Sequence, residues 1–213
     1  MKIRTTEELL GKLDEALSWR KKELIDYKLI TERNKGSLLQ KPLTRAGIAL
    51  VYAHWEGFIK EASGFYLSYL SSLKLKPSDI SLNLLTLSIF DRIIKANDVD
   101  KCYTIIQFLN DTTSRCKMPQ NIDTESNLKS NVLKKIMFLL DLNYTHYETR
   151  ANFIDANLLG KRNEIAHGEF RNIDYSEFEE VFDFVIKYSE IYKNEIINSA
   201  IQKKYYKTKH ISY

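Results

Sequence analysis

A chain of 213 residues with 44% hydrophobic and 28% charged side chains can bury a core, which excludes a disordered or collagen-like polymer, and two cysteines exclude a disulfide scaffold. Seven glycines and three prolines are too few for the turns of a strand meander, so the composition favours long helices. The 32 Lys and Arg against 28 Asp and Glu leave a net charge of +4, too weak a global field to mark a nucleic-acid binder, so any basic surface has to be local.

The first residues, Met1 to Glu8, enter charged sequence with no apolar leader, and the longest apolar run, Ile48 to Ala53, falls far short of a membrane span. A cytoplasmic protein with no membrane partner is expected. Thr5 and Glu8 have the spacing of a capping box, and Leu9, Leu10, Leu13, Ala16, Leu17, Leu24 and Ile25 recur near helical spacing as far as the stop at Asn34 to Gly36. That predicts a first helix of about 28 residues. Pro42 suits the first turn of a second helix, whose stripe is Leu43, Gly47, Leu50, His54, Phe58, Ala62, Phe65 and Tyr69. The short loop between the two predicts an antiparallel hairpin.

Between 76 and 143 the pattern breaks into three shorter apolar clusters, Leu82 to Ile94, Cys102 to Leu109 and Val132 to Leu140, separated by polar stretches such as Asn110 to Asn127. These are expected to be three helices inserted as an elaboration of a single domain spanning 1–213. The two cysteines lack a Cys-x-x-Cys spacing and a nearby His, so they are read as reduced core thiols rather than a zinc or redox site. Tyr144 to Tyr147 reads as a loop with packing aromatics, Tyr147 to Leu159 as a further helix, and Asp174 or Ser176 as the start of a last long helix toward Ile201. The expected fold is all-α, an antiparallel helical bundle with a long N-terminal hairpin, inserted shorter helices and a long C-terminal helix.

No Gly-rich phosphate loop, Walker lysine, His-x-x-x-His pair or Gly-x-Ser-x-Gly elbow is present, which removes most enzyme classes. What remains is Arg162-Asn163-Glu164-Ile165-Ala166-His167-Gly168. On one continuous helix Leu158, Leu159, Ile165 and Ala166 define an apolar arc that contains Arg162, and a guanidinium on such a stripe needs a partner. Asn163 and His167 share a neighbouring face. A titratable imidazole can move a proton to or from a ribose 2′-hydroxyl while a guanidinium neutralises charge growing on phosphate oxygens, and neither needs a metal or other cofactor. The plainer reading pairs Arg162 with Asp155 or Glu164 and lets His167 end a helix before Gly168.

The segment resembles the signature of the HEPN superfamily (higher eukaryotes and prokaryotes nucleotide-binding domains), with Arg162, Asn163 and His167 at its Arg, polar and His positions. Leu50 to Lys60 is similar to an early helix of a bacterial nuclease-like branch of that superfamily. The resemblance implies a helical bundle that dimerises so that two motifs face one another across a cleft. It further implies a metal-independent endoribonuclease, a toxin or phage-defence effector, that cuts by 2′-hydroxyl attack to leave a cyclic phosphate, with RNA as substrate and an antitoxin protein as a possible partner. The alternative is a non-catalytic module that binds RNA, nucleotide or a partner protein. One HEPN group carries a Tyr two positions after the His that is modified by its antitoxin; Glu169 stands there in this chain.

Outside the motif, Glu56 is a candidate to orient His167 or pair with Arg162 from the neighbouring helix, while Trp55 and His54 read as core residues. Arg45, Lys161, Lys203 and Lys204 are candidate RNA contacts. The last two belong to a tail, Lys203 to His210, that interleaves cations with aromatics.

Overall fold

The computed structural model describes residues 2–95, 97–110 and 115–207. Helix α1 covers Thr6–Arg33, and the Thr5 hydroxyl accepts from the Glu8 amide at 3.1 Å, as the spacing predicts. The return arm of the box differs, since the Glu8 carboxylate accepts from the Arg4 amide instead of that of Thr5. Helix α2, Gln40–Ser72, and helix α8, Tyr175–Ile201, complete the core with α1. Helices α3 (Leu82–Lys95), α4 (Asp98–Asn110), α5 (Ser130–Leu139), α6 (Thr145–Glu148) and α7 (Lys161–Ala166) lie between them in sequence.

The direction of each core helix follows from its pairs. Lys193 to Asp14 at 2.9 Å and Lys28 to Glu179 at 2.9 Å set α1 antiparallel to α8. Thr44 to the Ile173 carbonyl at 2.7 Å, Ser63 to Tyr192 at 2.7 Å and Tyr66 to Ser199 at 2.8 Å set α2 and α8 side by side in the same direction. Helices α2 and α8 therefore need a long crossover, and the region from α3 to α7 supplies it. Helix α2 touches α1, α8 and α7, so its buried surface is wider than the single expected stripe and takes in Ile48, Val51, Tyr52, Trp55 and Ile59. Gly47 marks the closest approach, where an added Cβ would lie 2.5 Å from the Phe178 ring and 2.8 Å from that of Tyr27.

Three differences from the sequence expectations bear on the site. The stretch expected as one helix over 147–159 is divided: Thr145–Glu148 forms a single turn, and Phe153–Gly160 winds as a π-helix that runs directly into α7. Tyr147 is fully buried and stacks on Tyr144 at 5.6 Å, so the aromatics pack as expected, on a helical turn rather than a loop. Of the cysteines, Cys116 is buried, with its thiol pushed up by burial, whereas Cys102 is exposed on α4. The stretch 115–129 is an extended strap laid along α2, with Cys116, Met118, Ile122, Thr124 and Leu128 turned inward.

Candidate functional site

The strap descends α2 in register. It passes Gly64, where an added Cβ would meet the Gln120 carbonyl at 3.4 Å. Lower down the Thr124 hydroxyl donates to Glu56 at 2.7 Å and the Leu128 amide to the Tyr52 hydroxyl at 2.7 Å. Glu125 and Ser126 both adopt left-handed backbone, φ 56° and 54°, a costly pair for residues with a Cβ. That turn delivers Asn127 to the motif.

Arg162 is half-buried, with its guanidinium carbon 4.8 Å from the centre of the Tyr52 ring. Its Nη1 donates to the Asn163 side-chain oxygen at 2.8 Å and to that of Asn127 at 3.2 Å. Arg162 makes no salt bridge among the described residues, and the two carboxylates that could have neutralised it are engaged elsewhere. Asp155 accepts from the Ser130 amide at 2.7 Å and the Ser130 hydroxyl at 2.6 Å, while Glu164 takes Arg171 at 2.6 Å. Two neutral amides and a ring face thus hold a permanent cation without cancelling its charge. The Tyr52 phenol is pushed up by burial, with the Glu56 carboxylate adding to the effect, so it stays protonated beneath the guanidinium.

His167 caps α7. Its amide donates to the Asn163 carbonyl at 2.9 Å, and Gly168 follows at φ 74°. The Gly168 amide reaches the Ile165 carbonyl at 3.1 Å and the Glu169 amide the Glu164 carbonyl at 2.9 Å, the paired bonds of a Schellman stop. The His167 ring is exposed, with no hydrogen-bond partner among the described residues. Within one chain, then, Arg162 and Asn163 are joined by their side chains, and His167 stands about 7 Å farther along the helix axis with its ring toward solvent.

The other candidates occupy different places. Lys161 is 3% exposed and its ammonium lies 2.6 Å from Glu177, so it anchors α7 inside the bundle. The sequence arc had placed Arg162 inward; the wider π winding before it turns the face by about one residue, so Lys161 takes the interior position, Arg162 its margin, and Ala166 is exposed. Arg45 donates to the carbonyls of Arg171 at 2.8 Å and Glu169 at 3.0 Å, which fastens the loop after the motif to α2. Glu56 ties the strap to α2 through Thr124 and stands beside Tyr52, one residue removed from Arg162 and without a bond to His167. His54 is buried, with its Nε2 2.7 Å from Glu23; burial pushes its imidazole down and Glu23 partly opposes this. Lys203 and Lys204 are exposed just beyond α8, whose 27 residues separate them from the motif end by about 40 Å. Lys209 and His210 lie outside the described residues.

Sequence reasoning did not single out Tyr52, Asn127 or Glu177. The first lies unremarked within Leu50 to Lys60, and Asn127 ends a stretch that reads as polar. Its even-numbered inward residues from Cys116 to Thr124 were the available signal, an alternation with the period of extended chain. Glu177 carries the capping box of α8 with Asp174, and the same carboxylate receives Lys161.

Neither curated proteins nor solved structures yielded a match to this chain. A family model did match, that of RiboL-PSP-HEPN, over residues 15–198, which take in all of α2 to α7 and most of α1 and α8. The chain belongs to this HEPN family.

Proposed function

We propose that the protein is a metal-independent endoribonuclease that acts as a homodimer. Arg162 and Asn163 hold the scissile phosphate, and His167 moves the proton of the attacking 2′-hydroxyl or of the leaving 5′-oxygen, leaving a cyclic phosphate. The observation that carries the reading is the guanidinium of Arg162, fixed on Tyr52 by two amides and left without a carboxylate. A cation retained in that way is suited to receive an anion, and a planar guanidinium matches two phosphate oxygens. The exposed imidazole at the end of the same short helix supplies the titratable group, and membership of a HEPN family favours nucleotide or RNA chemistry.

Dimerisation is favoured by the surface around the motif. Phe170 is 91% exposed, and Leu38 and Leu39 at the start of α2 are 98% and 57% exposed at the same end of the bundle. A second copy covering them would bring its own motif close, so that Arg162 of one chain and His167 of the other complete one site. A toxin or phage-defence role, with a protein antitoxin that occludes the motif, fits such a nuclease.

The test is incubation of end-labelled RNA with wild type and His167→Ala in EDTA, followed by analysis of the new ends. Cyclic-phosphate products with the wild type alone are expected. Intact RNA with a folded wild-type dimer would replace the enzyme by a binding module.

A further inference from the structure

A second concavity lies away from the motif. It is a groove of about 1280 Å³ between the segment before α1, the middle of α1 at Trp19 and Arg20, the C-terminal half of α2 and residues 117–121 of the strap. Six cations line it, Lys2, Arg4, Arg20, Lys60, Lys74 and Lys117, against one carboxylate, Glu61. Glu61 is already held by Arg20 at 2.8 Å, and among the described residues none of the other five cations makes a salt bridge. A chain whose net charge is only +4 has thus gathered an unbalanced share of its positive charge into one concavity.

The floor is built for close approach. Gly57 and Gly64, two turns apart on α2, let the walls close in on the helix: a Cβ at Gly57 would lie 3.4 Å from Nη2 of Arg20, and one at Gly64 3.4 Å from the Gln120 carbonyl. Arg20 is 8% exposed, and its Nε is buried without a hydrogen-bond partner although its Nη1 is satisfied by Ala16 and Glu61. The half-exposed Trp19 stands on the same wall with the Arg20 guanidinium 4.4 Å from its ring centre.

We propose that this groove holds a single-stranded RNA and leads it to Arg162. Cations on both walls meet a phosphate backbone, and an indole among them offers a stacking face that only an unpaired base can use, which an acidic peptide would leave idle. The strap provides continuity: the segment that closes the groove at Gly64 goes on to Glu56 and Tyr52 and ends at Asn127 against Arg162, about 18 Å farther along α2. The inference takes its substrate from the ribonuclease reading and adds where that substrate lies outside the motif.

Binding is measured by fluorescence anisotropy with a labelled oligoribonucleotide of about 15 mixed-sequence nucleotides, on the full chain carrying His167→Ala, across a salt series. Adding Lys60→Glu and Lys117→Glu is expected to raise Kd at least tenfold. At about 0.7 per phosphate contact, loss of two contacts lowers the salt slope by about 1.4. Lys101→Glu with Lys187→Glu, an equal charge change outside the groove, is expected to leave both within twofold. Equal weakening by the two pairs, or by neither, overturns the groove. Tighter binding of an oligo-glutamate peptide, dependent on Lys60 and Lys117, replaces RNA by an acidic protein and also overturns it. If groove-dependent RNA binding holds while the wild type cuts nothing, the ribonuclease reading falls and the groove stands; cleavage with groove-independent binding has the opposite meaning.

Discussion

Arg162 gains its place from a ring, two amides and the absence of a carboxylate, and each part can be removed separately. Arg162→Lys keeps the charge and loses the planar fork, so RNA cleavage is expected to fall by about a hundredfold with little change in Tm, measured by initial rates beside thermal unfolding. Tyr52→Phe preserves the ring under the guanidinium but leaves the Leu128 amide without its acceptor, and a stability loss of about 1 to 2 kcal/mol in urea unfolding is expected. At this scale the sequence made Arg162, Asn163 and His167 visible because their spacing falls within one short helix. Asn127 was hidden because it reaches Arg162 from 35 residues away, through a left-handed turn at Glu125 and Ser126 that carries no Gly to mark it.

Among the elements, α7 is short, and its two ends fix it. Glu177 holds the N-terminal end through Lys161, whose ammonium keeps that carboxyl below its ordinary value of 4.5 against the opposing effect of burial. Since the folded chain binds this proton less readily than the unfolded one, the pair contributes fully above pH 4.5 and is lost as pH falls through the lowered value. Glu177→Gln should therefore lower Tm at neutral pH, and the gap to wild type should close in acid, as calorimetry across a pH series would record. The C-terminal end depends on Gly168 at φ 74°; Gly168→Ala is expected to cost about 1 kcal/mol in chemical unfolding. Helix starts at Thr5 and Asp174 were legible because capping side chains are local. The π winding was not, because an i to i+5 pattern over Phe153 to Gly160 leaves the same apolar residues that an α-helix would need.

In the whole molecule, the three long helices were read from periodicity, whereas the shared direction of α2 and α8 was not, since no local signal says which way a distant helix returns. The exposed apolar surface at the motif end yields an expectation at this scale: Leu38→Asp with Phe170→Asp shifts the proposed dimer toward monomer in sedimentation velocity and reduces cleavage with it, while the far-ultraviolet spectrum is unchanged. The parallel pairing also orders events in time. Thr44 meets Ile173, and Arg45 meets Arg171, across more than 120 residues, and Lys161 waits for Glu177 on the last helix. Such closures are slow compared with the folding of a hairpin. During synthesis the first two helices can fold while Arg162 and His167 have not yet left the ribosome, and the Lys161 anchor of α7 closes only after α8 has emerged and docked. Sequence order alone thus keeps the Lys161 anchor of the motif helix open until the last long helix has been made.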